Sequence, residues 1–225
     1  MIIINQLLSA DEVSMFRQQL QHARWLDGKN TAMGMAAAVK RNGQADATDS
    51  SVQKLANQLL SKFGHNAELI SAALPQRIFP PCFNRYSESE TYGLHVDGAI
   101  MRLPGNEVMR SDLSITTFLS EPEEYSGGEL IIHTPFGQQS VKLAAGDAVL
   151  YNSGSLHRVS PVTAGTRLAA ISWIQSMVAD VQMRETLYQL DQSIQSLMHN
   201  DAVARDELDR LHHVYHNLIR QHAEV

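Results

Sequence analysis

Hydrophobic residues recur at helical spacing in the first part of the chain. Val13, Phe16 and Leu20 fall on one face of a helix that begins after Ser9, and Glu12 completes a capping-box signature with that serine. A single apolar face of this kind is typical of a helix that packs on a core. The same reading predicts a short strand over residues 2–8, a polar loop over 42–50 and a second amphipathic helix over 51–63.

From about residue 76 the pattern changes to short runs rich in β-formers, separated by Gly, Pro and Ser. The predicted strands cover residues 77–86, 92–97, 112–119, 128–134, 139–144, 147–151, 157–162 and 166–175. Many short strands with tight turns between them favour a two-sheet jelly roll or a small barrel.

Helical spacing returns after Trp173, so the last ~45 residues are predicted to form a helical hairpin. That hairpin would either cap the β core or form a homodimer interface. The resulting fold class is α+β, with a jelly-roll core between N-terminal helices and the C-terminal hairpin. We expect three segments: residues 1–75 supporting the core, 76–176 forming it and 177–225 forming the hairpin.

The composition of the chain argues against several classes of function. The 225 residues carry a net charge of -6 with no long basic run, which argues against a nucleic-acid surface. No apolar stretch approaches the ~20 residues of a membrane-spanning helix. The single cysteine, Cys82, excludes an internal disulfide and fits a reducing compartment, so we expect a cytoplasmic protein.

The tripeptide His95-Val96-Asp97 places two ligand-type side chains one residue apart. In a strand, residues i and i+2 point to the same face, so this is either half a metal site or a solvated strand end. His157, at the start of a later predicted strand, is the candidate third ligand. Two imidazoles and one carboxylate form the facial triad of non-haem Fe(II) oxygenases, which leaves open positions for a 2-oxo acid and dioxygen.

Arg167 lies in the otherwise apolar run "RLAAISWI". A guanidinium in a buried strand is costly unless it is paired. Its partner is either an acidic group in space, such as Glu121 or Asp147, or the carboxylate of a small molecule. A molecule with a 2-oxo acid at one end and a carboxylate at the other, 2-oxoglutarate, would bridge iron and Arg167.

The segments "NRYSESETYGLHVDG" and "GDAVLY…SLHRVSPVTAGTR" resemble the prolyl-4-hydroxylase-like Fe(II)/2-oxoglutarate dioxygenases. Within that group the chain is most similar to the bacterial PKHD-type hydroxylases, including the iron-uptake-associated branch often called PiuC. The resemblance extends over nearly the whole chain.

This resemblance implies a double-stranded β-helix in which His95, Asp97 and His157 bind Fe(II). It implies that Arg167 binds the distal carboxylate of 2-oxoglutarate, that Tyr86 hydrogen-bonds this cosubstrate, and that L-ascorbate keeps the iron ferrous. It names no catalytic residue beyond the iron ligands. The expected reaction is hydroxylation with dioxygen, coupled to decarboxylation of 2-oxoglutarate to succinate.

The substrate stays open between a peptidyl group and a small metabolite such as a siderophore. Residues 98–111 follow the metal strand and are a candidate lid over the substrate entrance. A different class, a non-catalytic jelly-roll protein that binds a metal or small ligand or acts as a sensor, is the alternative. A cupin is disfavoured because the chain has H-x-D where cupins have H-x-H.

Overall fold

The computed structural model describes residues 1–32 and 34–225, with the backbone alone at Pro104. Its helices precede and follow the main β region in the sequence. They are α1 (Ala10–Gln21), α2 (Gly34–Ala38), α3 (Ser50–His65), α4 (Ala67–Ala73), α5 (Val181–Met198) and α6 (Arg205–His222). None of these helices has the length and apolarity needed to cross a bilayer.

The strands cover the middle of the chain and also reach into its first fifty residues. They are β1 (Ile2–Ile4), β2 (Trp25–Asp27), β3 (Lys40–Arg41), β4 (Gly43–Ala45), β5 (Pro75–Ile78), β6 (Cys82–Tyr86), β7 (Thr91–His95), β8 (Ile100–Arg102), β9 (Val108–Arg110), β10 (Leu113–Phe118), β11 (Tyr125–Gly127), β12 (Leu130–Thr134), β13 (Gly137–Val141), β14 (Ala148–Asn152), β15 (His157–Val159), β16 (Val162–Gly165) and β17 (Arg167–Ser176).

The β core consists mainly of two antiparallel sheets. The larger sheet has the order β1-β14-β10-β17-β6-β4-β2, with β5 added beside β17, and the smaller has the order β13-β12-β15-β7-β3. Strands β11 and β16 form a two-stranded sheet, and β8 and β9 form a hairpin. This arrangement confirms the predicted jelly-roll core between N-terminal helices and a C-terminal helical hairpin.

The larger sheet is buried on both faces. One face packs on α1, α3 and α4, and the other meets the smaller sheet through an inter-sheet core, which consists of Tyr86, Phe118, Leu130, Ile132, Val141, Val149, Tyr151, Val159 and Val162. Alternation along β17 therefore decides which residues face the smaller sheet. Leu168 and Ala170 pack towards the helices, whereas Arg167, Ala169 and Ile171 line a cavity between the sheets.

The C-terminal hairpin packs on the β core of its own chain. Leu187 of α5 is fully buried with Leu74 and Val178, and Tyr215 and Leu218 of α6 pack against that cluster. The apolar stripe of α6 thus has an intramolecular partner.

Several predicted boundaries were wrong. The segment 77–86 is two strands, β5 and β6, and 157–162 is split into β15 and β16. The predicted loop over 42–50 contains β4, whose pairing with β6 extends the larger sheet. The capping box at Ser9 and the amphipathic helix around residues 51–63 are confirmed.

Candidate functional site

Antiparallel pairing brings His95 and His157 together from distant parts of the chain. Strands β7 and β15 are neighbours, and His157 lies directly opposite His95 in their register. Both side chains point into the space between the sheets and are buried. The two rings lie 4.2 Å apart, centroid to centroid.

The orientation of each imidazole is fixed by its own backbone. Nδ1 of His95 donates to the carbonyl of Gly93 at 2.8 Å, and Nδ1 of His157 donates to the carbonyl of Ser155 at 2.9 Å. Because a carbonyl can only accept, Nδ1 of each ring carries a proton, and Nε2 is the nitrogen left to face a metal ion. Burial, followed by the neighbouring His157, lowers the pKa of His95 to about 4, which keeps that ring neutral.

Asp97 completes the cluster from just beyond the end of β7. Its Oδ1 lies 3.8 Å from Nε2 of His95 and 3.7 Å from Nε2 of His157. The prediction of a strand over 92–97 was wrong at this residue, because β7 ends at His95. Asp97 therefore faces the histidines from the turn that follows β7, and the alternation of a strand does not account for it.

The three ligand-type atoms lie close enough together that they could hold one metal ion. They all lie within 4.8 Å of one another. Ligands at ~2.1 Å from a common ion are separated by at most ~4.2 Å, so the Nε2–Oδ1 distances already fall in range. Two imidazoles and one carboxylate on one side of an ion leave its other side open.

Arg167 lies in the wall of the same cavity. It is 2% exposed, its Nε has no hydrogen-bond partner, and it belongs to none of the ion pairs among the described residues. Glu121 accepts from the backbone of Ala145 and Asp147 from the backbone of Gln6, so the alternative that either pairs with Arg167 was wrong. A buried guanidinium that has no ion-pair partner among the described residues is suited to bind an anionic ligand.

Aromatic residues form much of the remaining wall. Tyr86 lies opposite Arg167 in the β6–β17 register, and its ring centroid is 5.3 Å from the guanidinium carbon. Burial raises the pKa of Tyr86 to about 12, so its hydroxyl stays protonated and able to donate. Tyr151 also lines the cavity, and no described residue forms a hydrogen bond with its hydroxyl.

Tyr92, another aromatic residue of the cavity wall, contacts His95 directly. Its ring stacks on His95 at 3.5 Å between centroids. Between the two paired positions, Tyr92 with Val159 and His95 with His157, β7 has two residues where β15 has one, and the extra residue forms a bulge that turns Tyr92 and His95 to the same face. No sequence signal marks this bulge, since it arises from the register of the two strands.

Comparison with known proteins agrees with this geometry. The profile of the 2OG-Fe(II) oxygenase superfamily matches residues 81–175, and that of the PKHD-type hydroxylase C-terminal domain matches residues 182–224. A PKHD-type hydroxylase of Alteromonas mediterranea is 66% identical over 226 residues that cover 100% of both chains.

Two solved structures share the fold. One is a Pseudomonas putida prolyl-4-hydroxylase, with a TM-score of 0.51 and 19% identity over 78% of this chain and 91% of that one. The other is HygX from Streptomyces hygroscopicus, solved with nickel and 2-oxoglutarate, with a TM-score of 0.56 and 15% identity over 79% of this chain and 83% of that one. At these identities the likeness concerns the fold alone.

The fold, the cluster of two histidines and an aspartate, and the superfamily match together define a 2-oxoglutarate- and Fe(II)-dependent oxygenase. At 66% identity to a relative over its full length, the chain belongs to the PKHD-type hydroxylase family. The predicted membership of the PKHD-type hydroxylases is thereby confirmed, and the chain is a 2-oxoglutarate-dependent dioxygenase.

Proposed function

We propose that His95, Asp97 and His157 hold the Fe(II) of this dioxygenase, and that Arg167 and Tyr86 hold its 2-oxoglutarate. One observation carries the proposal: three convergent ligand-type atoms lie in the same site as a buried guanidinium that has no counterion among the described residues. A metal ion would satisfy the first feature and a dicarboxylate the second.

The chain's own residues bind and orient in this scheme. Bound Fe(II) supplies the position at which dioxygen and 2-oxoglutarate react, with decarboxylation to succinate and hydroxylation of the substrate. His95 and His157 present fixed Nε2 lone pairs, because Nδ1 of each is already engaged. Arg167 binds the distal carboxylate and so turns the 2-oxo acid end towards the histidines, while Tyr86 donates a hydrogen bond to the same molecule.

The hydroxylated group is peptidyl or part of a small metabolite such as a siderophore, and membership of the iron-uptake branch stays a prediction. L-ascorbate as the reductant that keeps the iron ferrous is carried over from the family resemblance. A cytoplasmic location, the division at residues 75 and 176, and a homodimer through the C-terminal helices are sequence-based predictions that stay part of this proposal. The same is true of a lid formed by residues 98–111, a segment that includes the hairpin β8–β9.

Succinate formation from 2-oxoglutarate tests the proposal. The native protein is purified free of metal and then supplied with Fe(II), ascorbate and dioxygen. It should form succinate slowly without a substrate and faster with the true substrate, which is sought among peptides and ferric siderophores. Asp97→Ala and His157→Ala should lower this rate by at least ~100-fold, because altering even the residues that orient metal ligands costs ~10–100-fold. His65→Ala, at an exposed position near the end of α3, is the matched control. Equal succinate formation by Asp97→Ala and native protein would contradict the assignment.

A further inference from the structure

The two carboxylate oxygens of Asp97 have different surroundings. Oδ1 faces the histidines, at 3.8 Å and 3.7 Å from the two Nε2 atoms. Oδ2 instead accepts a hydrogen bond from the hydroxyl of Ser114 at 2.6 Å. One oxygen is therefore directed at the metal position, and the other is engaged by the protein.

Ser114 is itself held in place. It lies on β10, is fully buried, and its Oγ is 2.8 Å from Oγ of Ser153. A hydroxyl has one proton, and the proton of Ser114 is given to the carboxylate, which has none to give. Ser153 must then be the donor of the second bond, so the chain of donors runs from Ser153 through Ser114 to Asp97.

At Ser153 this series of hydrogen bonds continues to other segments of the fold. The backbone N–H of Ser153 donates to the carbonyl of Asp112 at 3.1 Å. The carboxylate of Asp112 accepts from Arg110 at 2.7 Å and from the backbone of Ser176 at 2.8 Å. Arg110 also reaches Glu224 at 2.8 Å, which ties the C-terminal segment to the same network.

The position of Asp97 makes this support necessary. Because β7 ends at His95, no strand pairing holds the backbone at Asp97. A carboxylate on such a turn could rotate and bind an ion through both oxygens. The bond from Ser114 occupies one oxygen and so opposes that rotation.

We propose that Ser114, supported by Ser153, is a positioning residue that keeps Asp97 a ligand through one oxygen only. Three protein ligands leave three positions of an octahedral ion open, two for 2-oxoglutarate and one for dioxygen. A carboxylate bound through both oxygens would take one of these positions. The proposal rests on the metal site proposed above and adds the residues that keep its open positions free.

The test compares metal and gas binding in serine variants under anaerobic conditions. Ser114→Ala removes the donor to Asp97, and Ser114→Thr keeps a hydroxyl. Ser172→Ala is the matched control, because Ser172 is equally buried in the neighbouring strand β17 and its hydroxyl donates to the carbonyl of Phe79. Fe(II) affinity is measured by titration. The affinity of the Fe(II)–2-oxoglutarate complex for nitric oxide, a probe of the dioxygen position, is measured by electron paramagnetic resonance.

We expect Ser114→Ala to weaken Fe(II) binding by ~10-fold, as is usual for residues that orient metal ligands, and to weaken nitric oxide binding several-fold as well. Ser114→Thr should restore both affinities, and Ser172→Ala should leave them unchanged. A loss of general stability would not lower nitric oxide affinity selectively, so this readout separates positioning from folding. If Ser114→Ala does not fold, Ser153→Ala should show the same direction with a smaller size.

Native affinities for Fe(II) and nitric oxide in both Ser114→Ala and Ser153→Ala would overturn the positioning role and leave the metal site intact. If the native protein does not bind Fe(II), the proposed site itself fails, and the role of Ser114 fails with it. The two failures are therefore distinguishable.

Discussion

Replacing Arg167 with methionine removes the guanidinium from the cavity and keeps an unbranched side chain. The native guanidinium is 2% exposed and has no counterion among the described residues. We expect Arg167→Met to abolish the selective binding of 2-oxoglutarate without unfolding the protein.

The size of the effect follows from burial. An exposed ion pair contributes about 0–1 kcal/mol, whereas breaking a buried one by removing a partner costs about 3–5 kcal/mol. Arg167 is buried, so the larger figure applies to its pair with a bound dicarboxylate. At about 1.4 kcal/mol per tenfold, the dissociation constant of 2-oxoglutarate should rise by ~100- to 4,000-fold.

The assay is calorimetric titration of the Fe(II)-loaded protein under anaerobic conditions with two ligands. 2-Oxopentanoate has a methyl group where 2-oxoglutarate has its distal carboxylate, so the ratio of their affinities isolates that carboxylate. The native protein should prefer 2-oxoglutarate by the factor above, and Arg167→Met should bind both ligands within about threefold. Arg85→Met is the control, because Arg85 lies on the adjacent strand β6 and stacks on Trp25 at 4.6 Å.

Stability provides an independent readout. An unpaired buried charge destabilises a fold, so urea denaturation of ligand-free Arg167→Met should give an unfolding free energy equal to or above that of the native protein. The reasoning is refuted if Arg167→Met keeps a preference of 100-fold for 2-oxoglutarate.

Three further predictions concern single side chains. Tyr86→Phe removes a hydroxyl that is protonated at neutral pH, since burial raises the pKa of Tyr86 to about 12. Losing one hydrogen bond of about 1 kcal/mol should raise the KM for 2-oxoglutarate ~5-fold. An unchanged KM would exclude the contact. Burial also raises the pKa of the Cys82 thiol to about 11, so alkylation by iodoacetamide at pH 7 should be far slower in the folded protein than in urea, and equal rates would contradict this environment. Leu187→Ala, at a fully buried position of α5, should lower the free energy of unfolding by about 2–5 kcal/mol in chemical denaturation. A change below about 0.5 kcal/mol would mean that the C-terminal hairpin unfolds separately from the β core.

The residues of the candidate site could be predicted from the sequence because residue type and alternation are local signals. Arg167 stood out as the cation of an apolar strand, and the alternation along β17 turns it inward as expected. His157 could be nominated only by its residue type and its place at a strand start. Its position opposite His95 depends on a register that no local pattern encodes.

Other parts of the site depend on tertiary contacts and have no sequence signature. Strand β4 consists of the polar residues 43–45 and exists because it pairs with β6. Ser114 reads as an ordinary polar residue of a strand, and its contact with Asp97 follows from the packing of β10 against the turn after β7. The direction of Asp97 was predicted from a strand that ends two residues earlier.

The central claim is that His95, Asp97 and His157 bind one Fe(II) beside a 2-oxoglutarate held by Arg167. The most direct measurement is anaerobic titration of metal-free protein with Fe(II) and 2-oxoglutarate, followed by the visible metal-to-ligand charge-transfer band. We predict a band that saturates at one Fe(II) per chain in the native protein and does not form in Asp97→Ala. A native protein without the band, or an Asp97→Ala variant with the native band, would contradict the account.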